Sequence, residues 1–232
     1  SSIARNSDLV LPIHCGAEIG VASTKAFTGQ MLVLYILTLK ISFLKKDMNK
    51  KTFEQKIKEL KKLPKLIKST LSVESEIENI SNTFANAKGS MFLGRGFAYP
   101  IAMEGALKLK ELCYVHAEGY PAGEMKHGPL ALIEEGIPVV VLAPRDKYYE
   151  KTLSNMQEVI SRGAKVLLIS NKSKDEISSE NVWKTIEVEK TSDELLPFLL
   201  TLPLQILAFH SAKNKGHDID KPRNLAKSVT VE

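Results

Sequence analysis

Apolar positions in the first part of the chain recur mostly at helical spacing, and one short run suggests a strand. The elements predicted there, in order, are a strand over residues 8–13, a glycine-containing loop over 14–20, and helices over 25–43 and 72–86. Ser23 and Thr24 stand where they can cap the longer helix. Its apolar run, residues 31–39, falls short of the about 20 residues that span a bilayer, so we expect a buried helix.

Lysine dominates residues 45–68, which lie between these two helices. The apolar members of this segment recur at helical spacing: Phe53, Ile57, Leu60, Leu63 and Ile67. This spacing favours an amphipathic helix with a solvated lysine face, and Pro64 predicts a kink or a break within it. The chain carries a net charge of +5. However, aromatic residues do not interleave with these lysines as they do in a nucleic-acid groove, so no nucleic-acid partner is expected.

Short apolar runs alternate with helical segments in the rest of the chain. Predicted strands cover 91–93, 138–143, 165–169 and 185–188, and predicted helices cover 100–114, 148–162 and 195–213. Strand–helix alternation is typical of an α/β fold with a doubly wound parallel sheet and helices on both faces. Because the strands are continuously apolar, the sheet should be buried on both sides. The glycine- and proline-rich segment 116–129 is interpreted as a loop that could carry function.

The turn formed by Gly94, Arg95 and Gly96 follows a predicted strand. Open parallel sheets bind ligands at the carboxyl ends of their strands, and such a turn can present backbone N–H groups to an anion. The turn lacks the third glycine of a dinucleotide fingerprint and the lysine of a P-loop. Taken alone, the motif therefore favours a structural turn over a phosphate cradle.

Three charged residues share one face of the next predicted helix, because Glu104, Lys108 and Glu111 are spaced i, i+4 and i+7. One interpretation is an exposed ion-pair ladder. The other is a carboxylate held near a cation inside a cleft. In that arrangement Glu111 could move protons between adjacent carbons of a sugar, and Lys108 would favour its ionised form.

Two further residues are candidates for chemistry. His127 could act as an acid–base group near neutral pH. The two histidines and two glutamates of segment 116–129 do not fall at the spacing of a metal site. Lys227 is flanked by apolar and small residues, and a desolvated lysine could attack a ketose carbonyl as a free amine. The alternative for Lys227 is one more solvated lysine of the tail.

The tail itself, residues 216–232, is polar but contains apolar residues that favour docking over fraying: Leu225, Ala226, Val229 and Val231. Cys15 and Cys113 form no CxxC pair and have no histidine at zinc-finger spacing. We interpret both as reduced thiols of a cytosolic protein, in the core or near a site.

Three stretches resemble the glutamine–fructose-6-phosphate aminotransferases, the glucosamine-6-phosphate synthase family. They are GAEIGVASTKAFT at 16–28, the stretch from GRG at 94–96 through MEGALKLKE at 103–111 to AGEMKHGP at 122–129, and PRNLAKSVTVE at 222–232. The first two are also similar to other sugar-isomerase (SIS) domains, whereas the last is specific for this family. The resemblance implies flavodoxin-like α/β/α sandwiches. Residues 1–46 would end a first SIS domain, 47–78 would be a connector, 79–215 a second SIS domain, and 216–232 an active-site tail.

In this family, ammonia freed from glutamine converts fructose 6-phosphate to glucosamine 6-phosphate. The resemblance implies three catalytic roles. Lys227 would form the Schiff base with the open-chain ketose, and Glu111 would carry the proton between C1 and C2. His127 would assist ring opening, reaching in from the partner subunit of a homodimer. It also implies substrate-site roles for four further residues: Val21, Ser23, Lys108 and Arg223.

The resemblance implies no metal, no organic cofactor, no nucleic acid and no membrane, and a cytoplasmic location. The N-terminal glutaminase domain and the Ser/Thr-rich phosphate loops of the first SIS domain are absent here, so we expect the chain alone to be inactive. A glutamine-independent SIS isomerase or deglycase is one alternative, which the terminal motif argues against. A non-catalytic phosphosugar-binding module is another. Such a module has no need of both Glu111 and Lys227.

Overall fold

Five parallel strands form the centre of the protein. The computed structural model describes residues 2–173 and 181–227. The strands are β1 (Gly89–Gly94), β2 (His116–Pro121), β3 (Pro138–Leu142), β4 (Lys165–Ser170) and β5 (Lys184–Glu187). They lie in the order β2-β1-β3-β4-β5, and every neighbouring pair is parallel. The chain reverses its direction of winding at β1, which is where open α/β sheets place their ligands.

Helices cover both faces of this sheet. In the described residues they are α1 (Ser2–Arg5), α2 (Lys25–Leu44), α3 (Lys50–Leu60), α4 (Leu63–Thr70), α5 (Glu74–Ala85), α6 (Ala98–Cys113), α7 (Tyr149–Ile160) and α8 (Leu196–Asn214). Helices α5, α6 and α8 pack on one face. Helix α7 and a 3-10 helix, Ala122–His127, pack on the other. The predicted doubly wound α/β fold is confirmed.

The burial of β3 shows why the strands are continuously apolar. Val140 and Leu142 pack toward α6 and α8, whereas Val139 and Val141 pack toward α7, and all four are fully buried. Successive side chains of a strand point to opposite faces, so a sheet covered on both sides needs apolar residues at every position.

Strand β2 was not expected, because residues 116–129 were interpreted as a loop. That interpretation is wrong for residues 116–121. The strand lies at the edge of the sheet and pairs only with β1. Its glycine and proline weaken the strand signal. Gly119 is required there, since a Cβ at this position would lie 2.7 Å from the Cα of Met103 on α6.

The strand predicted over residues 8–13 does not form, so that prediction is also wrong. A strand needs a neighbouring backbone to which its N–H and C=O groups can hydrogen-bond. All five strands of the described sheet lie within residues 89–187, and none pairs with this segment.

Helix α2 extends over the predicted residues, but it is not the buried helix that its apolar run suggested. Phe27, Met31 and Tyr35 pack partly against the core, and Leu39 is buried. On the other side Leu34 is 62% exposed. By length and composition α2 would suit a membrane span, a test that core helices of soluble proteins also pass.

The lysine-rich segment breaks where proline predicted. Helix α3 ends at Leu60 and α4 begins at Leu63, with Pro64 in the first turn of α4. Leu63 is buried, and Ile67 packs partly against the core. Proline is tolerated in a first turn because the N–H group it lacks has no intrahelical partner there.

We predict that Gly94→Ala lowers the free energy of unfolding by about 2 kcal/mol. A Cβ at Gly94 would lie 2.4 Å from the carbonyl oxygen of Ala98, so the end of β1 or the start of α6 must shift. Urea denaturation measures the loss. Gly89→Ala is the matched control at the other end of β1, because its Cβ would lie 3.4 Å from the nearest atom. Equal losses in the two variants would contradict the explanation.

Candidate active site

The C-terminal segment, described over residues 216–227, docks against the loop of residues 14–24 that precedes α2. The Val21 backbone N–H donates to the Asp220 carbonyl at 2.9 Å. The Lys227 ammonium donates to a Glu18 carboxylate oxygen at 2.6 Å and to the Gly20 carbonyl at 3.0 Å. A cavity of about 360 Å³ lies beside these contacts, between the loop, the segment and α8. The end of the chain and the residues before α2, far apart in sequence, therefore form one site.

The docking is partly apolar, but through other residues than those expected. Ile219 packs partly against the core and Pro222 is buried, whereas Leu225 is 44% exposed and Ala226 is exposed as well. Val229 and Val231 lie outside the described residues, as do the other residues of 228–232. The Lys227 side chain is 43% exposed and ion-paired, so it is not desolvated as its neighbours in sequence suggested.

Glu18 is the acceptor at the centre of the loop. One of its oxygens accepts the Thr24 and Ala26 backbone N–H groups at 2.9 and 3.1 Å, and the other binds Lys227. Burial by itself would raise the pKa of the Glu18 carboxyl. The hydrogen bonds and the lysine charge outweigh burial and lower the pKa to about 2. Glu18 is therefore ionised throughout the physiological range.

The start of α2 is capped by Glu18 and not by the residues predicted for this role. Thr24 occupies the N-cap position but makes no side-chain cap hydrogen bond. Ser23 and Val21 lie inside the loop that Glu18 closes, and both are partly buried. A carboxylate at the start of a helix satisfies orphan N–H groups and interacts favourably with the helix dipole.

Arg223 is held at the C-terminal end of α6. Its backbone N–H donates to the Tyr114 hydroxyl at 2.8 Å, and its guanidinium lies 4.1 Å from the centre of the Tyr114 ring. Tyr114 caps α6 in the left-handed conformation, with φ at 57°. The His217 ring lies 4.7 Å from the same aromatic ring. Tyr114 thus joins the C-terminal segment to the helix that carries Glu111.

The charged face predicted on α6 is present and mostly buried. The Lys108 ammonium lies 2.6 Å from Glu111 and 3.6 Å from Glu104. The Lys108 side chain is 3% exposed, whereas that of Glu111 is 23% exposed. Burial raises the pKa of Glu104, with Lys108 opposing and Glu111 reinforcing the shift. The arrangement is a carboxylate beside a buried cation and not an exposed ladder.

His127 stands apart from these groups. It ends the 3-10 helix Ala122–His127, and its side chain is 74% exposed. Its ring nitrogen lies 3.9 Å from a Glu124 oxygen. Among the described residues, the structure records no hydrogen bond or ion pair between His127 and either Glu111 or Lys227.

The turn after β1 serves a structural role. The Arg95 guanidinium donates to Asn155 of α7 at 3.2 Å and lies 5.8 Å from the Tyr148 ring centre. Gly123 allows this position, because a Cβ there would lie 3.1 Å from a guanidinium nitrogen. Arg95 is therefore committed to joining β1 and α7, which agrees with the structural interpretation of this turn.

The two cysteines differ in environment, and neither forms a disulfide. Cys113 is buried on α6 and its thiol donates to the Ala208 carbonyl at 3.3 Å. Burial raises the pKa of Cys113 to about 12, although nearby Lys215 opposes this. Cys15 is partly buried in the loop before α2. Over the described ranges, no three His, Cys, Asp or Glu side chains are placed to hold a metal ion.

Sequence reasoning missed Glu18, Tyr114 and Asp220 as contributors to this site. Glu18 lies within a quoted motif, and its position six residues before Thr24 hides its role as a helix cap. The contact of Asp220 is made through its backbone carbonyl, so its side chain gave no signal. Tyr114 gave no signal either, because the left-handed conformation that closes a helix usually belongs to glycine and not to a bulky aromatic residue.

Comparison with known proteins places this geometry in context. A family model described as the SIS domain matches residues 83–214. The chain is 47% identical over 232 residues to a glutamine–fructose-6-phosphate aminotransferase [isomerizing] of Bartonella quintana and 48% identical to one of Zymomonas mobilis. Each match covers all of this chain and 38% of the relative. The chain thus spans well under half the length of these curated relatives.

Solved structures agree. The C-terminal domain of glucosamine-fructose-6-phosphate aminotransferase from Francisella tularensis superposes with a TM-score of 0.92 at 45% identity, covering 96% of this chain and 63% of that one. Glucosamine-6-phosphate deaminase from Thermotoga maritima gives a TM-score of 0.68 at 26% identity, covering 100% and 64%.

We predict that the Glu18 carboxyl titrates at about pH 2 and not near the ordinary 4.5. Carbon-13 NMR of the carboxyl group measures the midpoint. Because the folded-state pKa is lowered, the partners of the Glu18 carboxylate together, the Thr24 and Ala26 N–H groups as well as Lys227, stabilise the fold above pH 4.5, and this contribution disappears as the pH falls toward 2. Lys227→Met removes the positive charge and keeps a side chain of similar length, so the Glu18 midpoint in this variant should rise toward the ordinary value. Equal midpoints in the two proteins would show that the ion pair does not form in solution.

Proposed function

This chain belongs to the SIS domain family, and on that premise we propose that it is the C-terminal isomerase part of a glutamine–fructose-6-phosphate aminotransferase. Identity of 47% over the whole chain to proteins of that name supports the proposal. The observation that carries it is the position of Lys227, whose amino group docks on the loop that holds Val21 and Ser23.

The reaction proposed is the conversion of fructose 6-phosphate and glutamine-derived ammonia to glucosamine 6-phosphate. The Lys227 ammonium first gives up a proton to water. The free amine then attacks C2 of the open-chain ketose, and loss of water leaves an imine between the lysine nitrogen and C2. Forming this imine makes the C1 protons more acidic, because the electrons left on C1 delocalise toward the imine nitrogen. Ammonia then attacks C2 of this imine and expels the lysine amine, which leaves an imine between C2 and the ammonia nitrogen. One base that reaches both carbons removes a proton from C1 and delivers it to C2, so that C1 becomes the aldehyde and C2 carries the amino group.

Glu111 is suited to be that base. It is partly exposed, and Lys108 lies 2.6 Å away on the same helix. The buried Lys108 ammonium favours the carboxylate form and fixes its direction. Lys108 therefore acts as a supporting group in this proposal, together with Arg223, which Tyr114 ties to the end of the same helix.

His127 is proposed to assist opening of the sugar ring in the site of a partner subunit. Its exposed side chain at the end of a short 3-10 helix supports this role, because an exposed imidazole is accessible to a second copy of the chain. Imidazole is suited to acid–base work near neutral pH. The active protein would accordingly be a homodimer.

The domain division is part of the same proposal. Residues 1–46 would complete a first SIS domain, 47–78 would connect, 79–215 would form the second SIS domain, and 216–232 would be the active-site tail. The matched residues 83–214 support the third of these units. The exposed apolar side of α2 supports the first, because residues of a longer protein would cover it.

The remaining parts of the proposal concern partners and location. A glutaminase domain of the same protein would supply ammonia, and the chemistry assigned to lysine, glutamate and histidine needs no metal or organic cofactor. The substrate is a small sugar phosphate, with no nucleic acid or membrane involved. A cytoplasmic location is proposed because the substrate belongs to sugar-phosphate metabolism.

We predict that the full-length protein carrying this chain forms a covalent adduct on Lys227 when it is incubated with fructose 6-phosphate and reduced with borohydride. Reduction converts the imine to a stable secondary amine, which intact mass and peptide mapping detect. Lys227→Ala should give no adduct. Binding of the sugar phosphate without any adduct would instead favour a non-catalytic phosphosugar-binding module.

The 232-residue chain by itself should turn over little or no fructose 6-phosphate. The resemblance assigns the phosphate-binding loops to a part of the first SIS domain that this chain lacks. An assay of glucosamine 6-phosphate formation with added ammonia compares the chain with the full-length protein. Normal turnover by the isolated chain would refute this prediction.

A further inference from the structure

The Glu18 carboxylate connects three parts of the candidate site: the loop before α2, the start of α2 and Lys227. We propose that Glu18 is a positioning residue, which fixes the loop carrying Val21 and Ser23 and aims the Lys227 amine across it. This inference rests on the function proposed for Lys227. It adds a role for a residue that the sequence motifs contain but leave unassigned.

The first step of the argument is loop closure. One Glu18 oxygen accepts the backbone N–H groups of Thr24 and Ala26 at 2.9 and 3.1 Å. Residues 19–23 are thereby enclosed between the Glu18 side chain and the start of α2. These bonds tie the Glu18 end of the loop to the first turn of α2. Val21 and Ser23 lie between the two tied ends, so their positions are fixed relative to the helix.

The second step concerns Lys227. A lysine side chain has many rotamers and loses considerable entropy when it is fixed in one direction. Here its ammonium has two acceptors, the second Glu18 oxygen at 2.6 Å and the Gly20 carbonyl at 3.0 Å. Both acceptors belong to the loop, so the amine is held beside Val21 and Ser23 before any substrate binds.

The third step asks whether the ion pair between Glu18 and Lys227 mainly stabilises the fold or mainly orients the amine. The Lys227 side chain is 43% exposed, and ion pairs with such an exposed member contribute little to the free energy of folding. Lys25, another ammonium near the loop, donates to the Ala17 carbonyl at 2.6 Å. The Glu18 oxygens are thus left to the helix start and to Lys227, and the consequence of the ion pair should appear in the kinetics.

The test compares two substitutions of Glu18 in the full-length protein. Glu18→Gln keeps an oxygen acceptor for the Thr24 and Ala26 N–H groups. It replaces the oxygen that binds Lys227 with an amide NH2 group, so the charge and the acceptor that hold the lysine are both lost. We expect kcat to fall about tenfold while KM for fructose 6-phosphate stays within about twofold. Glu18→Ala removes both functions, so KM should rise as well.

Glu54→Gln is the matched control, because Glu54 pairs with Lys50 at 3.9 Å on an exposed helix surface and should leave both constants unchanged. Thermal unfolding midpoints of all variants report on folding. Borohydride trapping of wild-type protein is run alongside. Absence of a Lys227 adduct in the wild type would reject the proposed function itself. An adduct in the wild type, with kcat of Glu18→Gln unchanged or raised, would reject only the positioning role.

Discussion

Burial of the parallel sheet on both faces is the constraint on which the rest of the structure depends. Apart from Lys165 at the start of β4, the side chains of β3 and β4 are buried, and the buried Ser90 and Ser170 hydroxyls donate to carbonyl oxygens, so the central strands leave few groups for chemistry. Functional side chains must come from helices, connecting loops and chain ends. The candidate residues follow this rule, with Glu111 on α6, Glu18 in a loop and Lys227 near the end of the chain. Helices α6 and α8 pack against the sheet. The C-terminal segment is bound to the end of α6 through Arg223, and the loop before α2 is bound to α8 through Thr24.

The buried ammonium of Lys108 adds a second constraint. Removing a charge from water costs several kcal/mol unless partners compensate for it. Here two carboxylates share the compensation, and they differ in burial. Glu104 is the more buried, and its pKa is raised, whereas Glu111 faces the more open side. Glu111 makes the closer contact with the ammonium, at 2.6 Å, and is also the more exposed of the two, so the ion pair orients the carboxylate that lies nearer to solvent.

The sequence predicted most of the fold because burial on two faces leaves a clear pattern. Strands β1, β3, β4 and β5 and the helices around them lie within a few residues of the predicted bounds. Residues 116–121 were missed because an edge strand with Gly119 carries little apolar signal. Residues 8–13 were wrongly predicted because an apolar run does not reveal whether a partner strand exists beside it. Both errors concern pairing, which depends on distant residues.

Less of the candidate site than of the fold could be predicted from the sequence. The shared face of Glu104, Lys108 and Glu111 follows from helix geometry alone. The meeting of Lys227 with Glu18 joins residues more than two hundred positions apart, and no local pattern encodes it. Residue chemistry suggested Glu111, Lys108, His127 and Lys227 as candidates, and the resemblance specified their roles. For Val21, Ser23 and Arg223 the resemblance alone supplied the roles. All of these roles remain predictions.

The contrast between the two thiols has a practical consequence for anyone who studies this protein in solution. Alkylating reagents react with thiolates, and Cys113 stays protonated at any pH at which the protein would be handled. Of the two cysteines in this chain, a maleimide dye would therefore attach to Cys15, a few residues from Glu18 in the loop that receives the C-terminal segment. A fluorophore at that position would report on the contact between the loop and the segment.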